Sequence, residues 1–213
     1  MDFLTEEIND YAISHTTNES ELLYELNRKT NSNVLLPRML SGHLQGRVLS
    51  MFSKMISPKR VLEIGTYTGY SALCMAEGLI DEAKLFTIDI NDELEDFTKS
   101  FFKKSAYYNK IEYIIGNALD IIPKLNESWD LIFIDADKEN YCAYYNLLID
   151  NIKSGGYLIA DNVLWSGKVL DLKRNIDYET QGINKFNKLI NSDSRVENIL
   201  LPIRDGLMVV RKK

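Results

Sequence analysis

The chain begins with a helical hydrophobic pattern and then changes to short apolar runs separated by longer amphipathic stretches. Residues 2–56 are predicted to be all-helical. One helix runs from 19–21 to about Asn31, and a longer one follows Pro37 and ends near Ser57-Pro58. The first quarter of the chain is therefore predicted to be a helical extension.

Five short apolar runs then alternate with helix-like stretches. Apolar residues at consecutive positions in these runs indicate strands that are buried on both faces. Such strands, alternating with helices, are typical of a parallel sheet that helices cover on each side. The runs are RVLEI (60–64), KLFTID (84–89), IEYII (111–115), WDLIFI (129–134) and GYLIA (156–160), and the helix-like stretches are 70–79, 91–106, 118–125 and 138–151.

The last part of the chain has a different pattern. A polar loop (166–176) and a helix near 177–191 precede two strand-like segments, VENILLPI (196–203) and LMVVRK (207–212). Arg204-Asp205-Gly206 between these segments predicts a tight Asp-Gly turn and hence an antiparallel pair. The whole pattern predicts an α/β fold whose mostly parallel sheet ends in antiparallel strands.

Length and composition fit one domain over 1–213, with the helical extension (1–56) in front of an α/β core (57–213). A chain of 213 residues that is 45% hydrophobic can bury a sizeable core. A formal net charge of −6 argues against a broad basic face for nucleic acid or anionic lipid. Cys74 and Cys142 have neither metal nor disulfide spacing, which favours a reducing compartment.

No segment of the sequence indicates a membrane or export. No apolar run approaches the roughly 20 residues that cross a bilayer. The acidic N-terminal segment MDFLTEEINDY lacks the apolar region of a signal peptide. We therefore expect a soluble cytoplasmic protein without a membrane partner.

A glycine-containing loop follows the first predicted strand, in VLEIGTYTGYSA (61–72). Gly65 and Gly69 flank the turn from strand to helix, where a missing Cβ lets the backbone approach a ligand. The spacing is neither G-x-G-x-x-G nor a P-loop. Glu63 lies inside the strand, where a carboxylate needs a cation or a hydrogen-bond donor beside it. Asp89 ends the next strand, where a carboxylate can accept hydrogen bonds from both hydroxyls of a ribose. This favours an adenosine ligand that carries positive charge; a capped loop with a helix-capping Asp89 is the alternative.

Polar side chains also follow the fourth and fifth predicted strands. Asp135 ends WDLIFI, and Asp161-Asn162 ends GGYLIA. Because neighbouring strands lie about 4.8 Å apart, these three side chains are expected to converge at one edge of the sheet. Carboxylate and amide oxygens suit Mg²⁺, Mn²⁺ or Ca²⁺, whereas two histidines in the whole chain leave little for zinc. The alternative is that each aspartate caps the helix that follows it.

Lys138 lies three residues after Asp135, at the predicted start of a helix. A divalent cation nearby disfavours the charged form of a lysine, so its pKa should fall toward that of a useful base. The alternative is a solvated surface lysine.

Six segments of the chain together carry a family resemblance. They are VLEIGTYTGYSA (61–72), TID (87–89) with its Asp89, GNALD (116–120), FIDADKENY (133–141), DNVLWSGKV (161–169) and RDGLMVVRK (204–212). They resemble the cation-dependent O-methyltransferases, the family of caffeoyl-CoA and catechol O-methyltransferases and their bacterial relatives, which use S-adenosylmethionine. The resemblance runs from about Leu36 to the C-terminus, and DADK and DN-x-LW-x-G are its most specific motifs.

The resemblance implies a role for each matching residue at the strand ends. Asp135, Asp161 and Asn162 match the family's metal ligands, with Mg²⁺ the foremost candidate ion. Lys138 matches the general base, and Asp135 is its catalytic neighbour.

The resemblance also implies contacts with the cofactor and the acceptor. MLSGHLQG (39–46) looks like the segment that closes over the cofactor. Trp165 and Tyr141 fall where family members line the acceptor pocket, and packing is the alternative role for both aromatic residues. The implied contacts with S-adenosylmethionine are Met39, Ser41, Glu63, Gly65, Tyr67, Ser71, Asp89, Ala118 and Asp135.

For the molecule as a whole, the resemblance implies a class I methyltransferase fold. This Rossmann-like fold has a seven-stranded sheet in the order 3-2-1-4-5-7-6, and the family members are commonly homodimers. The implied reaction moves a methyl group to a hydroxyl of a small phenolic or catechol-like acceptor that chelates the cation. Animal catechol enzymes carry a glutamate where this chain has Ile199-Leu200-Leu201, which argues against a simple catechol.

Two other functions remain open from the sequence. Some bacterial relatives methylate a 5-hydroxyuridine at the wobble position of tRNA with the same site. A non-catalytic binding module is the other, although the intact set of aspartates, asparagine and Lys138 argues against it. The basic residues that would meet tRNA phosphates are Lys168, Lys173 and Arg174, with Lys103, Lys104 and Lys110.

Overall fold

A computed structural model, which describes residues 5–170 and 177–213, contains a seven-stranded sheet. The strand order is β3-β2-β1-β4-β5-β7-β6, as the family resemblance predicted. The strands are β1 (Arg60–Ile64), β2 (Lys84–Asp89), β3 (Ile111–Ile115), β4 (Trp129–Ile134), β5 (Ile152–Ala160), β6 (Val196–Leu201) and β7 (Leu207–Lys212).

Helices connect the strands and form the part of the chain that precedes the sheet. The α-helices are α1 (Glu6–Ser14), α2 (Glu21–Asn33), α3 (Gly42–Ile56), α4 (Tyr70–Ala76), α5 (Glu95–Phe102), α6 (Ala118–Ile121), α7 (Tyr141–Leu148) and α8 (Tyr178–Ser192). The 3-10 helices are Pro37–Met39, Asp92–Leu94, Tyr108–Lys110, Ile122–Lys124, Lys138–Asn140, Ile149–Asn151 and Trp165–Leu170. Among the described residues, none of these helices has both the length and the apolar character needed to cross a membrane.

The backbone clusters into two compact units, Thr5–Asn117 and Ala118–Lys213. In the first unit, β1 pairs with β2 and β2 with β3, all parallel. The residues of β1 and β2 are almost all buried, as their apolar sequences predicted. The single domain over 1–213 therefore stays a prediction.

A buried ion pair joins α3 and α4 in the first unit. Both terminal nitrogens of the Arg47 guanidinium donate to the Glu77 carboxylate, at 2.8 and 2.9 Å, and Ser50 Oγ donates to it at 2.7 Å. The Glu77 side chain is 16% exposed and that of Arg47 is 12% exposed. Because α4 begins directly after the glycine-containing loop, this pair anchors the helix that the loop enters.

The second unit holds the remaining strands. Here β4 pairs with β5 in parallel, whereas β7 pairs antiparallel with both β5 and β6. The predicted antiparallel ending is therefore confirmed. Helix α8 begins at an N-cap, Asp177, whose carboxylate accepts from the Thr180 amide at 2.7 Å. This helix packs against α7 and against the 3-10 helix Lys138–Asn140.

The observed elements differ from the predicted ones where glycine or proline changes the backbone. Strand β5 begins at Ile152 rather than 156, because it passes through an irregular register opposite Trp129 that Gly155, at φ +82°, accommodates. Strand β6 ends at Leu201 because Pro202 has no N–H for the ladder. The connection to β7 is therefore 202–206 rather than the predicted 204–206.

Some predicted helices also break or shorten. The stretch 118–125 becomes α6 and a separate 3-10 helix at Pro123, and 91–106 divides into a 3-10 helix and α5. The predicted polar loop begins with the 3-10 helix Trp165–Leu170, and its remainder, 171–176, lies outside the described residues.

Candidate active site

The glycine-containing loop after β1 has a left-handed backbone at three positions. Gly65 and Gly69 have φ of +100° and +85°, and Tyr67 between them has φ +49°. A Cβ on Gly69 would lie 2.5 Å from the Phe102 ring, so this position requires glycine both for space and for its backbone angles. The loop therefore has the conformation that its two glycines predicted.

Asp89 at the end of β2 holds this loop. The Tyr67 amide donates to one oxygen of the Asp89 carboxylate at 2.6 Å, and the Asn91 amide donates to the other at 2.9 Å. Two backbone donors fix the orientation of this carboxylate at the carboxyl end of the strand. Asp89 thus stabilises the loop in which the predicted cofactor contacts lie.

Glu63 in β1 is fully buried, and neighbouring hydroxyl groups compensate its carboxylate. Ser71 Oγ and Thr87 Oγ1 donate to its two oxygens. Since Thr87 gives its proton to Glu63, Thr66 Oγ1 is the donor in its 2.5 Å contact with Thr87. Ser71 was predicted from the sequence, whereas Thr66 and Thr87 were missed. Thr87 is the direct strand partner of Glu63, a pairing that only the register of β1 and β2 reveals.

Tyr67 ties the glycine-containing loop to residues that precede the segment predicted to cover the cofactor (39–46). The Tyr67 hydroxyl donates to the carbonyl of Leu35 at 3.1 Å and lies 3.3 Å from that of Leu36. Met39 in the following 3-10 helix is 54% exposed, and Ser41 at the start of α3 is buried. Tyr67 therefore links its loop to the chain just ahead of Met39 and Ser41.

In the second unit, Lys138 is a buried lysine paired with Asp135. Its Nζ donates to Asp135 Oδ1 at 3.0 Å and to the Ala136 carbonyl at 2.8 Å. The Lys138 side chain is 9% exposed, and that of Asp135 is 22% exposed. The alternative of a solvated surface lysine is excluded by this burial. Ala118, a predicted cofactor contact, is also in this unit, buried at the start of α6.

The pKa of Lys138 is raised rather than lowered. Burial by itself opposes the ammonium charge, but Tyr141 and the Asp135 carboxylate outweigh it and raise the pKa above the usual value. Lys138 Nζ also lies 5.1 Å from the centroid of the Tyr141 ring and 5.7 Å from that of Trp165. The predicted fall in pKa assumed a cation at Asp135; without one, the carboxylate attracts the ammonium instead.

Asp161 and Asn162 form a turn at the end of β5. Asp161 is 3% exposed, and its Oδ1 accepts from the Asn162 amide at 2.7 Å. Asn162 has φ +58°, a left-handed conformation that asparagine tolerates better than most residues. The N-cap positions of the helical segments after β4 belong to Asp137 and Asn140, so Asp135 is not a helix cap.

Asp135, Asp161 and Asn162 stay the predicted ligands of a cation. Among residues 5–170 and 177–213 there is no cluster of three or more histidine, cysteine or acidic side chains that suits a metal ion. Asp135, Asp161 and Asn162 offer two carboxylates and one amide oxygen. Such a hard oxygen set fits Mg²⁺, Mn²⁺ or Ca²⁺ and does not suit zinc.

The two predicted acceptor contacts differ in their surroundings. Tyr141 is fully buried; its ring packs edge-on against Phe186 at 5.4 Å, and its hydroxyl donates to the Asp161 carbonyl at 3.0 Å. These contacts favour the packing role for Tyr141. Trp165 is only partly buried at φ +47°, and its ring lies 5.5 Å from Lys168 Nζ. Trp165 Nε1 is buried without a hydrogen-bond partner within the described residues.

Comparison with known proteins identifies the family of this chain. The profile of the O-methyltransferase family matches residues 13–213. Caffeoyl-CoA O-methyltransferase 1 of Nicotiana tabacum is 37% identical over 179 residues, which cover 79% of this chain and 75% of the relative. The caffeoyl-CoA O-methyltransferase of Stellaria longipes is 32% identical over 98% of this chain and 91% of its own length.

A solved structure gives the same result at the level of the fold. The O-methyltransferase from Bacillus cereus in complex with SAH superposes with a TM-score of 0.89 and 28% identity, covering 97% of each chain. SAH is S-adenosylhomocysteine, the product that S-adenosylmethionine becomes after methyl transfer. The chain therefore belongs to the S-adenosylmethionine-dependent O-methyltransferase family that includes the caffeoyl-CoA O-methyltransferases.

Proposed function

We propose that this O-methyltransferase methylates a hydroxyl of a small phenolic or catechol-like acceptor with the help of a divalent cation. Lys138 is the general base, and Asp135, Asp161 and Asn162 hold the cation, with Mg²⁺ the foremost candidate. The similarity to caffeoyl-CoA O-methyltransferases supports a phenolic acceptor. The single observation that carries the proposal is a buried lysine in contact with Asp135 at the carboxyl end of β4.

Lys138 has the surroundings that a proton acceptor of this kind needs. Its Nζ is held at one place by Asp135 and by the Ala136 carbonyl, so the lysine does not have to be ordered for each turnover. The raised pKa means that Asp135 keeps the ammonium charged when the carboxylate has no other partner. Neutralising Asp135 removes that attraction and moves the pKa of Lys138 downward, toward the neutral amine.

The bound groups supply the rest of the chemistry. S-adenosylmethionine supplies the methyl group, and a divalent cation lowers the pKa of the acceptor hydroxyl. The neutral amine of Lys138 would take the hydroxyl proton at Nζ, and the acceptor oxygen would supply the electron pair for the new O–CH₃ bond. The S–CH₃ bond of the sulfonium would break at the same time, and S-adenosylhomocysteine would leave with that electron pair. Glu63 and Asp89 anchor the cofactor and take no proton. Holding the two reactants in line contributes about 7–11 kcal/mol in reactions of this type.

The experiment is methyl transfer from labelled S-adenosylmethionine to two panels, phenolics and total tRNA, each with Mg²⁺ or with EDTA. We expect label in the phenolic panel with Mg²⁺, no label with EDTA, and recovery when Mg²⁺ is restored. Activity that is indifferent to EDTA would refute the cation role. Label in tRNA alone would overturn the small-molecule acceptor.

The described lysines give tRNA little support. Lys168 pairs with Asp177 at 2.9 Å, and Lys104 pairs with Glu25 at 2.9 Å, so each of these ammonium groups already has a counter-ion. Lys173 and Arg174, the other predicted phosphate contacts beside the site, lie outside the described residues. We therefore expect the phenolic panel, rather than tRNA, to identify the acceptor.

The homodimer expected for the family has support from α1. This helix buries none of its own residues, and Ile8 and Tyr11 are 53% and 66% exposed. A helix of nine residues is marginal in water unless its apolar face packs against something. We expect wild-type protein to sediment as a dimer and Ile8→Glu with Tyr11→Glu to sediment as a monomer. A wild-type monomer at micromolar concentration would contradict the dimer.

A further inference from the structure

The hydroxyl of Tyr141 joins the two strand ends that carry the proposed cation ligands. It donates to the carbonyl of Asp161 at 3.0 Å and lies 3.4 Å from the carbonyl of Ile134. Ile134 is the last residue of β4 and directly precedes Asp135, whereas Asp161 directly follows β5. The Asp161 amide also donates to the Ile134 carbonyl, at 2.9 Å. One buried hydroxyl therefore contacts the backbone next to both carboxylates.

The ring of Tyr141 contacts a third group of the proposed site. Lys138 Nζ lies 5.1 Å from its centroid, within the range of a cation–π interaction. The Phe186 ring packs edge-on against it at 5.4 Å and 82°, which fixes the plane of the tyrosine. Tyr141 is fully buried, so its contacts with Lys138, Ile134 and Asp161 form as one rigid arrangement.

A second side chain, from α8, contacts the same turn. Asn187 Nδ2 in α8 donates to the Val163 carbonyl at 2.9 Å, two residues after Asp161. The Val163 amide donates to the Gly206 carbonyl at 3.2 Å, so both backbone groups of Val163 are held. The 161–163 turn is thus fixed by Tyr141 at one end and by Asn187 at the other.

We propose that Tyr141 is a positioning residue that sets the Asp135 and Asp161 strand ends at the spacing a divalent cation requires, with Asn187 supporting the same turn. This inference rests on the proposed cation site. Tyr141 touches neither the cation nor the acceptor, and acts through the backbone of its neighbours. Partners of this kind behind a metal ligand typically change metal affinity by about 10- to 100-fold when they are removed.

The test compares two buried tyrosines of α7. Tyr141→Phe removes the hydroxyl at the strand ends and keeps the ring under Lys138. Tyr145→Phe is the matched control, because the Tyr145 ring packs against the same Phe186 at 6.4 Å and its hydroxyl donates to Asp193 at 2.9 Å. Mn²⁺ binding is followed by the electron paramagnetic resonance signal of the free ion, SAH binding by calorimetry, and folding by urea denaturation.

We expect Tyr141→Phe to weaken Mn²⁺ binding about tenfold and to raise the Mg²⁺ concentration for half-maximal activity by a similar factor. The affinity for SAH stays within about twofold. Tyr145→Phe binds Mn²⁺ like the wild type although it also loses a buried hydroxyl. Asn187→Ala weakens Mn²⁺ binding by a smaller factor, and it serves as the second variant if Tyr141→Phe does not fold.

Two results would separate failure of this inference from failure of the proposed function. If the wild type binds Mn²⁺ and Tyr141→Phe binds it equally well, or Tyr145→Phe is weakened to the same degree, Tyr141 has no positioning role. If the wild type binds no Mn²⁺ and methylates in EDTA, the cation site is wrong and the inference fails with it.

Discussion

Glu63 and Lys138 are buried ionisable side chains, one in each compact unit, and the protein compensates their charges differently. Glu63 is surrounded by hydroxyl donors, so its carboxylate is satisfied before any ligand arrives. Lys138 instead depends on another ionisable group, Asp135, which the proposed cation also requires. Only the lysine is therefore sensitive to what binds beside it, which is the property expected of a base that must change its charge.

Replacing Lys138 tests this difference. Lys138→Ala should lower the rate of methyl transfer at least about a hundredfold, because a positioned general base contributes roughly 10²–10⁴. The affinity for SAH, measured by calorimetry, should be nearly unchanged. Lys153→Ala is the matched control: Lys153 forms a similar pair with Asp130 at 2.7 Å but is 43% exposed. Full turnover by Lys138→Ala, or an equal loss in the control, would remove the proposed base.

Glu77 provides a prediction about pH. Burial raises its pKa, but hydrogen bonds from Arg47, Ser50 and Lys54 outweigh that effect, so the pKa of Glu77 in the folded protein lies below its ordinary value of 4.5. Because this pKa is lowered, the charged Glu77 carboxylate stabilises the fold above about pH 4.5. The stabilisation is lost as the pH falls through the pKa of Glu77 in the folded protein. Glu77→Gln should therefore cost about 2 kcal/mol in urea denaturation at pH 7.

The difference between wild type and Glu77→Gln should shrink when the same denaturation is repeated near pH 3. Glu25→Gln is the control, because Glu25 likewise pairs with two cationic side chains, Lys29 and Lys104, but lies on the surface. The denaturation midpoint of the Glu25→Gln variant should hardly differ from that of the wild type. A pH-independent difference between wild type and Glu77→Gln would mean that Glu77 acts through packing rather than charge.

At the scale of elements, the sequence predicted strands better than helices. Runs such as RVLEI (60–64) and WDLIFI (129–134) end at polar residues or glycine, so their limits are visible in the sequence and match β1 and β4. Helix limits depend on local backbone choices, such as the break before Pro123, that hydrophobic spacing does not reveal. The pattern predicted a mostly parallel sheet, whereas the order of the strands in that sheet came from the family resemblance.

Candidate site residues at strand ends could be named from the sequence, whereas contacts that depend on strand register or on the folded chain could not. Asp89, Asp135 and Asp161 each follow an apolar run, and this signal is local in the sequence. Thr87 acts through its pairing with Glu63, and Tyr141 acts through backbone carbonyls of Ile134 and Asp161, contacts that only the folded chain creates. The contacts by which one residue positions another are therefore the part of a site that a single sequence does not predict.

Helix α8 provides a prediction for packing between elements. A Cβ on Gly182 would clash with the Lys138 carbonyl oxygen and with the Glu139 backbone. Gly182→Ala should therefore lower methyl transfer at least about tenfold, since a displacement of 1 Å can cost about a hundredfold. Alanine would otherwise favour this helix by about 1 kcal/mol, so the loss cannot arise from helix propensity. Lys185→Ala, at an exposed position of the same helix, should keep full activity in the same assay.

At the scale of the whole molecule, the predicted single domain requires the two compact units to unfold together. Both tryptophans, Trp129 and Trp165, belong to the unit Ala118–Lys213, so tryptophan fluorescence reports on that unit alone. The helices α1 to α5 belong to Thr5–Asn117, and far-UV circular dichroism therefore reports on both units. The two signals distinguish one cooperative transition from two.

We expect urea transitions followed by fluorescence and by circular dichroism to coincide. SAH provides a second test of cooperative unfolding. The unit without tryptophan contains three of the residues proposed to hold SAH, namely Glu63, Ser71 and Asp89. A ligand at 100 times its Kd stabilises a cooperative protein by about 2.7 kcal/mol, and in a single domain the fluorescence transition must shift by that amount. If SAH shifts only the circular dichroism signal and leaves the fluorescence transition in place, the chain unfolds as two domains and the prediction of one domain over 1–213 is wrong.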